Sequence, residues 1–211
     1  MIKGAIFDLD GTLFDSMSIW STIGNDYLLS LGIEPKENLA ETFETFTLEE
    51  SAEYYRSHYG VTLSISEIIN GINDMLSDFY QNEVPLKKGV VELLEKFSQN
   101  QIKMCIATAM DKQLAHEALL RLHVRDYFIQ IVTTQDVGSG KTNPKIYLKA
   151  LEYLKTEKQE TLVFEDAYHA LVTAKNEGFV VVGVHDGYES IQTEIQKISD
   201  YYITDYLTAF I

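Results

Sequence analysis

Six chemically capable side chains fall where short apolar runs of the sequence end. Asp8 and Asp10 follow "GAIF", and Thr108 closes "KMCIAT" just before Ala109. Lys141 comes shortly after "FIQIVTT", and Glu165 with Asp166 closes "TLVFED". Asp8 and Asp10 are two apart at a strand end, so both can project towards a common side. Gly11 then frees the backbone to turn away. Four gathered carboxylates repel one another and hold protons more tightly. A hard divalent cation relieves that repulsion, and an all-oxygen set suits Mg2+. Such an ion can bridge to a phosphate oxygen, while Lys141 adds a second positive charge and Thr108 a hydroxyl donor. An oxygen nucleophile, charge neutralisation and positioning are the equipment for phosphoryl transfer. The pattern alone does not say which aspartate attacks. Taken singly, each piece has a plainer explanation: a solvated loop for the Asp pair, a helix cap for Thr108 or Asp166, a surface position for Lys141. Their arrival in order at successive strand ends is what favours the chemical one.

The elements that must position these groups are legible in the pattern. Apolar, β-branched runs at 4–8, 103–109, 128–134, 161–166 and 179–186, and a weaker one at 201–204, lack strict polar alternation. Such runs predict strands buried on both faces, as in a parallel sheet. Between them, 89–100, 112–124, 144–155 and 167–178 repeat apolar residues at helical spacing, the last stopping at Gly178. Strand alternating with helix predicts a doubly wound α/β parallel sheet. In such sheets ligands bind beyond the carboxyl ends of the strands, where the six residues fall. Residues 16–82 break the alternation and read as several helices. The expected organisation is therefore an α/β core of residues 1–15 and 83–211 with an inserted all-helical segment, 16–82.

Bulk composition narrows the partners. The chain has 211 residues, enough for one core and a smaller insert, and 45% apolar residues, which argues against wholesale disorder. A net charge of -15 repels nucleic acid and anionic membranes, so neither is an expected partner. The single cysteine, Cys105, sits in an apolar run and rules out an intrachain disulfide or a Cys-rich zinc site. No apolar stretch is long enough to span a membrane, and the N-terminal run is broken by Asp8 and Asp10. A monomeric cytoplasmic protein acting on a small molecule is the expectation.

"GSGKT" at 138–142 looks like the end of a Walker A loop. That motif needs glycine where Gln135 stands, and in a P-loop protein it follows the first strand rather than the third. Lys141 is better explained as a phosphate-neutralising lysine.

These residues together resemble the haloacid dehalogenase superfamily. "FDLDGTLFDS" (7–16) matches its first motif in full. "IATA" is similar to its second, Lys141 with Pro144 to its third, and "VFEDAYHALVTAKNEGFVVVGV" (163–184) to its fourth. The resemblance covers essentially the whole chain and lies with the β-phosphoglucomutase/phosphatase-like branch, in which the helical insert is a cap. It implies that Asp8 is the nucleophile forming an aspartyl-phosphate and Asp10 the general acid and base. It implies that Thr108, Ala109 and Lys141 hold the phosphoryl group. It also implies that Asp8, the Asp10 carbonyl and Asp166, with Glu165 close by, hold Mg2+. Dehalogenase members of the superfamily lack the counterpart of Asp10, so its presence favours phosphate chemistry. Thr142 stands where many members have proline.

The insert should choose the substrate. Residues 16–82 hold eleven acidic and two basic residues, Lys36 and Arg56. A phosphosugar mutase must hold a second phosphate there, which needs positive charge; Arg56 is the one convincing candidate, and a surface helix position explains it better. The sequence therefore predicts a phosphate-monoester hydrolase, with a phosphosugar mutase as the alternative. A non-catalytic phosphate-binding or interaction module ranks last, because no key carboxylate is missing.

Overall fold

The computed structural model describes residues 1–43, 46–188 and 190–207. In chain order the elements are β1 (Gly4–Phe7), α1 (Ile19–Ser30), α2 (Leu39–Phe43), α3 (Leu48–Tyr59), α4 (Ile65–Asp78), α5 (Val90–Gln99), β2 (Lys103–Thr108), α6 (Lys112–Arg121), β3 (Phe128–Thr133), α7 (Thr134–Val137), α8 (Lys145–Leu154), β4 (Thr161–Glu165), α9 (Tyr168–Asn176), β5 (Val180–Val184), α10 (Gln192–Ile198) and β6 (Tyr201–Ile203). The chain divides into two compact units, residues 1–16 with 84–211, and residues 17–83.

The first unit is the α/β core. Its six strands form one parallel sheet in the order β3-β2-β1-β4-β5-β6. The order runs outward from β1 in both directions, so the switch point lies at the carboxyl end of β1, between β2 and β4. Register fixes what meets there. Phe7 is level with Ile106 of β2 and Phe164 of β4, and the Asp8 amide donates to the Phe164 carbonyl at 3.1 Å. Asp8, Glu165, Asp166 and Thr108 therefore leave adjacent strands within one or two residues of the same level.

Alternation decides which face each serves. Phe7 stacks on Phe164, with centroids 4.4 Å apart, and meets Phe97 and Phe128 edge-on or tilted. Ile6, Cys105 and Val163 point the other way, into a core completed by Ile146, Tyr147, Ala150 and Leu154 of α8. Each fully buried side chain of this kind contributes about 1.5–3 kcal/mol relative to exposure. Asp8 shares the parity of Ile6, and Glu165 that of Val163, so the side chains of both fall on the face covered by α8. Cys105 lies in this core, and burial pushes its thiol up to about 12, as befits an inert small hydrophobe.

The second unit is helical, with no strand among its described residues. Thr47 with Glu50 and Ser64 with Glu67 form capping boxes that start α3 and α4. Ile23, Tyr27, Leu28, Leu39, Tyr55, Ile68 and Ile72 make its own core. Gly71 of α4 is required there, because a Cβ would stand 2.8 Å from the Tyr27 ring. Tyr27 and Phe43 thus serve this core, whereas Trp20 is about half exposed. Arg56 pairs with Glu53 three residues earlier on the exposed face of α3. Glu44, one of the acidic residues counted in the insert, lies outside the described residues. No helix among the described residues is long and apolar enough to cross a membrane.

Two helices were not expected from the sequence. Helix α7 is a single turn held by a Thr133–Asp136 capping box, and α10 fills the β5–β6 crossover. Both are too short for periodicity to rise above the surrounding loop.

Candidate active site

The loop after β1 makes the floor of the site. Gly11 has φ +68°, the left-handed conformation that lets the chain reverse directly after Asp10. The Thr12 hydroxyl donates to Asp166 Oδ1 at 3.0 Å, and the Thr12 carbonyl accepts from the buried Tyr206 hydroxyl at 3.0 Å. Tyr206 also stacks on Phe164. The motif-bearing loop is therefore tied to β4 on one side and to the C-terminal segment on the other.

Asp8, Glu165 and Asp166 are all buried, and each offers a carboxylate oxygen within 4.8 Å of the others. Lys141 is 9% exposed and lies between two of them. Its ammonium forms an ion pair with Asp8 Oδ1 and another, at 2.8 Å, with Glu165 Oε1. Pro144, with φ −71°, caps the start of α8 and fixes where the preceding Lys141 loop ends. The plain surface explanation of Lys141 does not hold.

Burial governs the electrostatics. It pushes the Glu165 carboxyl well above its ordinary range, reinforced by Asp8 and Asp166 and opposed by Lys141. It raises Asp166 as well, with Asp8 adding to the effect. Burial alone would lower Lys141, but the charges of Asp8 and Glu165 outweigh it and hold the ammonium firmly protonated.

The remaining expected residues are placed as follows. Asp10 is partly exposed; its carboxylate is not in the buried group, and its Oδ1 accepts from the Ser16 hydroxyl at 2.7 Å. Thr108 is buried and its Oγ accepts from the Met110 amide at 3.1 Å, leaving the hydroxyl proton to donate elsewhere. Thr108 is not the cap of the next helix, since Asp111 caps α6. Ala109 is exposed in the bend that follows. Nor does Asp166 cap α9, whose N-cap is Ala167 and which begins at Tyr168 without a side-chain cap.

The structure adds residues that sequence reasoning missed. Tyr147 is fully buried and its hydroxyl donates to Glu165 Oε1 at 2.8 Å. In the sequence it is one more apolar-helix position, and no local signal marks it. Thr12 and Tyr206 make contacts across 154 and 194 residues, which no local pattern reveals.

The donor set fits a hard divalent cation. It is all oxygen, it is crowded with negative charge, and Glu165 Oε2 is buried without a hydrogen-bond partner among the described residues. A metal-free site should then carry a pH signature. The folded state holds the Glu165 and Asp166 protons more tightly than the unfolded chain does. Their contribution to stability is complete at acid pH, below the unfolded carboxylate values, and is lost as pH rises into the neutral range. In chelator, the melting temperature should fall between about pH 5 and pH 8, and Glu165→Gln should flatten that fall. A metal-free melting temperature that rises over this interval, unaltered by Glu165→Gln, would contradict the account.

A parallel sheet with a carboxylate-rich switch point and a lysine buried among the acids defines an α/β phosphoryl-handling class of site. The family of haloacid dehalogenase-like hydrolases matches residues 5–184, and the chain belongs to that family. It is 26% identical over 204 residues to a phosphorylated carbohydrates phosphatase from Thermotoga maritima, covering 88% of each protein. It is 26% identical over 189 residues to validoxylamine A 7'-phosphate phosphatase from Streptomyces hygroscopicus subsp. limoneus, covering 87% of this chain and 86% of that protein. The crystal structure of CbbY from Rhodobacter sphaeroides in complex with phosphate shares the fold, with a TM-score of 0.71 and 22% identity over 99% of this chain and 96% of that one.

Proposed function

We propose that this protein is a Mg2+-dependent phosphatase that hydrolyses monoesters of small phosphorylated metabolites, sugar phosphates among them, through an aspartyl-phosphate on Asp8. The observation that carries the proposal is Lys141, buried and paired to both Asp8 and Glu165 inside a group of three carboxylates. A charge cluster of this kind costs folding energy, and handling a phosphoryl group explains its retention. The names of the phosphatase relatives support the ester class.

In this mechanism an Asp8 oxygen attacks phosphorus and the bond to the ester oxygen breaks. Asp10 gives its proton to that leaving oxygen. Asp10 then takes a proton from water, whose oxygen attacks the phosphorus and releases phosphate from Asp8. Lys141 turns its ammonium towards the phosphoryl oxygens, and Thr108 donates its hydroxyl proton to one of them. The amide beside Ala109 supplies a further donor. Asp8, Asp166, Glu165 and the backbone carbonyl of Asp10 would hold Mg2+, which supplies charge neutralisation to the phosphoryl oxygens. The helical unit, residues 17–83, is assigned the role of a substrate-selecting cap. The exposed Arg56, engaged with Glu53, offers little for the second phosphate of a mutase.

Chelation is the immediate test. Excess chelator should abolish phosphate release from a sugar-phosphate panel, and added Mg2+ should restore it. Full activity in chelator would remove the metal from the mechanism.

A further inference from the structure

We infer that Tyr147 is a positioning residue for the metal site, acting through Glu165; this rests on the proposed function above. Two donors converge on Glu165 Oε1: Tyr147 Oη at 2.8 Å and Lys141 Nζ at 2.8 Å. The other oxygen, Oε2, is buried and has no hydrogen-bond partner among the described residues. The carboxylate is thus held by one oxygen while the other stays free for a ligand. Lys141 cannot be the permanent holder, because its ammonium also pairs with Asp8 and must turn to an incoming phosphoryl group. Tyr147 has no such second duty. Its ring is locked in the core of α8 and the sheet and packs edge-on against Phe179, with centroids 6.3 Å apart. When Lys141 leaves Glu165, Tyr147 alone among these two donors keeps the carboxylate plane fixed.

Outer partners of metal ligands typically influence metal affinity by roughly 10- to 100-fold. Tyr147→Phe keeps the ring and removes the donor. Direct calorimetric titration of the substrate-free protein with Mg2+ should show a dissociation constant raised by about tenfold or more. The substrate KM at saturating Mg2+ should hardly move. In the Glu165→Gln background, adding Tyr147→Phe should weaken Mg2+ no further, because the route through Glu165 is already cut. Unaltered Mg2+ affinity in Tyr147→Phe would overturn the inference. So would an additive loss in the double variant, or loss of cooperative unfolding in Tyr147→Phe, which would assign the hydroxyl to the fold. Failure of the phosphatase assignment looks different: the wild-type protein itself would bind no Mg2+ and release no phosphate.

Discussion

Asp8→Asn should abolish turnover while the protein stays folded. Removing the nucleophile of a covalent mechanism costs on the order of 10^4-fold or more in kcat, because the remaining groups only bind and polarise. The fold should survive for a structural reason. Asparagine is nearly isosteric with aspartate, and its side-chain oxygen can still accept from Lys141, the present partner of Asp8 Oδ1. The substitution also removes one charge that repels Glu165 and Asp166. A gained relief of repulsion and a lost attraction to Lys141 oppose each other, so metal-free stability should change little. Kinetics and thermal unfolding on the same preparation check both halves. Retained turnover in a folded Asp8→Asn protein would take the nucleophile role from Asp8.

Lys141→Met should damage both stability and activity. Methionine keeps the apolar stem and deletes the ammonium, leaving Asp8 and Glu165 buried without their shared cation. Breaking a buried pair in this way costs about 3–5 kcal/mol. The loss should be greatest at neutral pH in chelator and should shrink in acid, where the raised Glu165 carboxyl is protonated. Added Mg2+ should recover part of it, because the cation replaces the missing charge. Loss of a donor to the phosphoryl group should lower kcat by about 10^2- to 10^3-fold. Denaturant unfolding with and without Mg2+, beside steady-state kinetics, measures these effects. A Lys141→Met protein as stable and active as the wild type would mean that the lysine neither compensates the acids nor contacts the phosphoryl group.

How much of this was legible in the sequence depends on the range of the interaction. The strands were readable because runs such as "TLVFE" are buried on both faces and carry no polar alternation. Asp8, Glu165 and Asp166 followed, since each lies at the end of such a run. The inserted helices were readable because residues 16–82 break the strand–helix alternation, whereas the Thr47 and Ser64 capping boxes that start two of them came from the structure. Lys141 was different. Its place after the third strand run offers a charge to a phosphate, but taken singly a lysine after "GSG" looks like a surface residue or a nucleotide loop. Tyr147 was invisible because an aromatic on the buried face of α8 looks like core. Its hydroxyl acquires a partner only once strand parity turns Glu165 towards that helix. Thr12 and Tyr206 depend in the same way on the sheet order, which brings β1, β4 and the C-terminal segment together.

The most direct measurement is orthophosphate release from a panel of sugar phosphates and other phosphate monoesters, with and without Mg2+, by wild type beside Asp8→Asn. The account predicts Mg2+-dependent release by the wild type, matched one-to-one by the dephosphorylated alcohol, and none by the variant. Isomerised sugar phosphate without orthophosphate, or release that persists in Asp8→Asn, would contradict it.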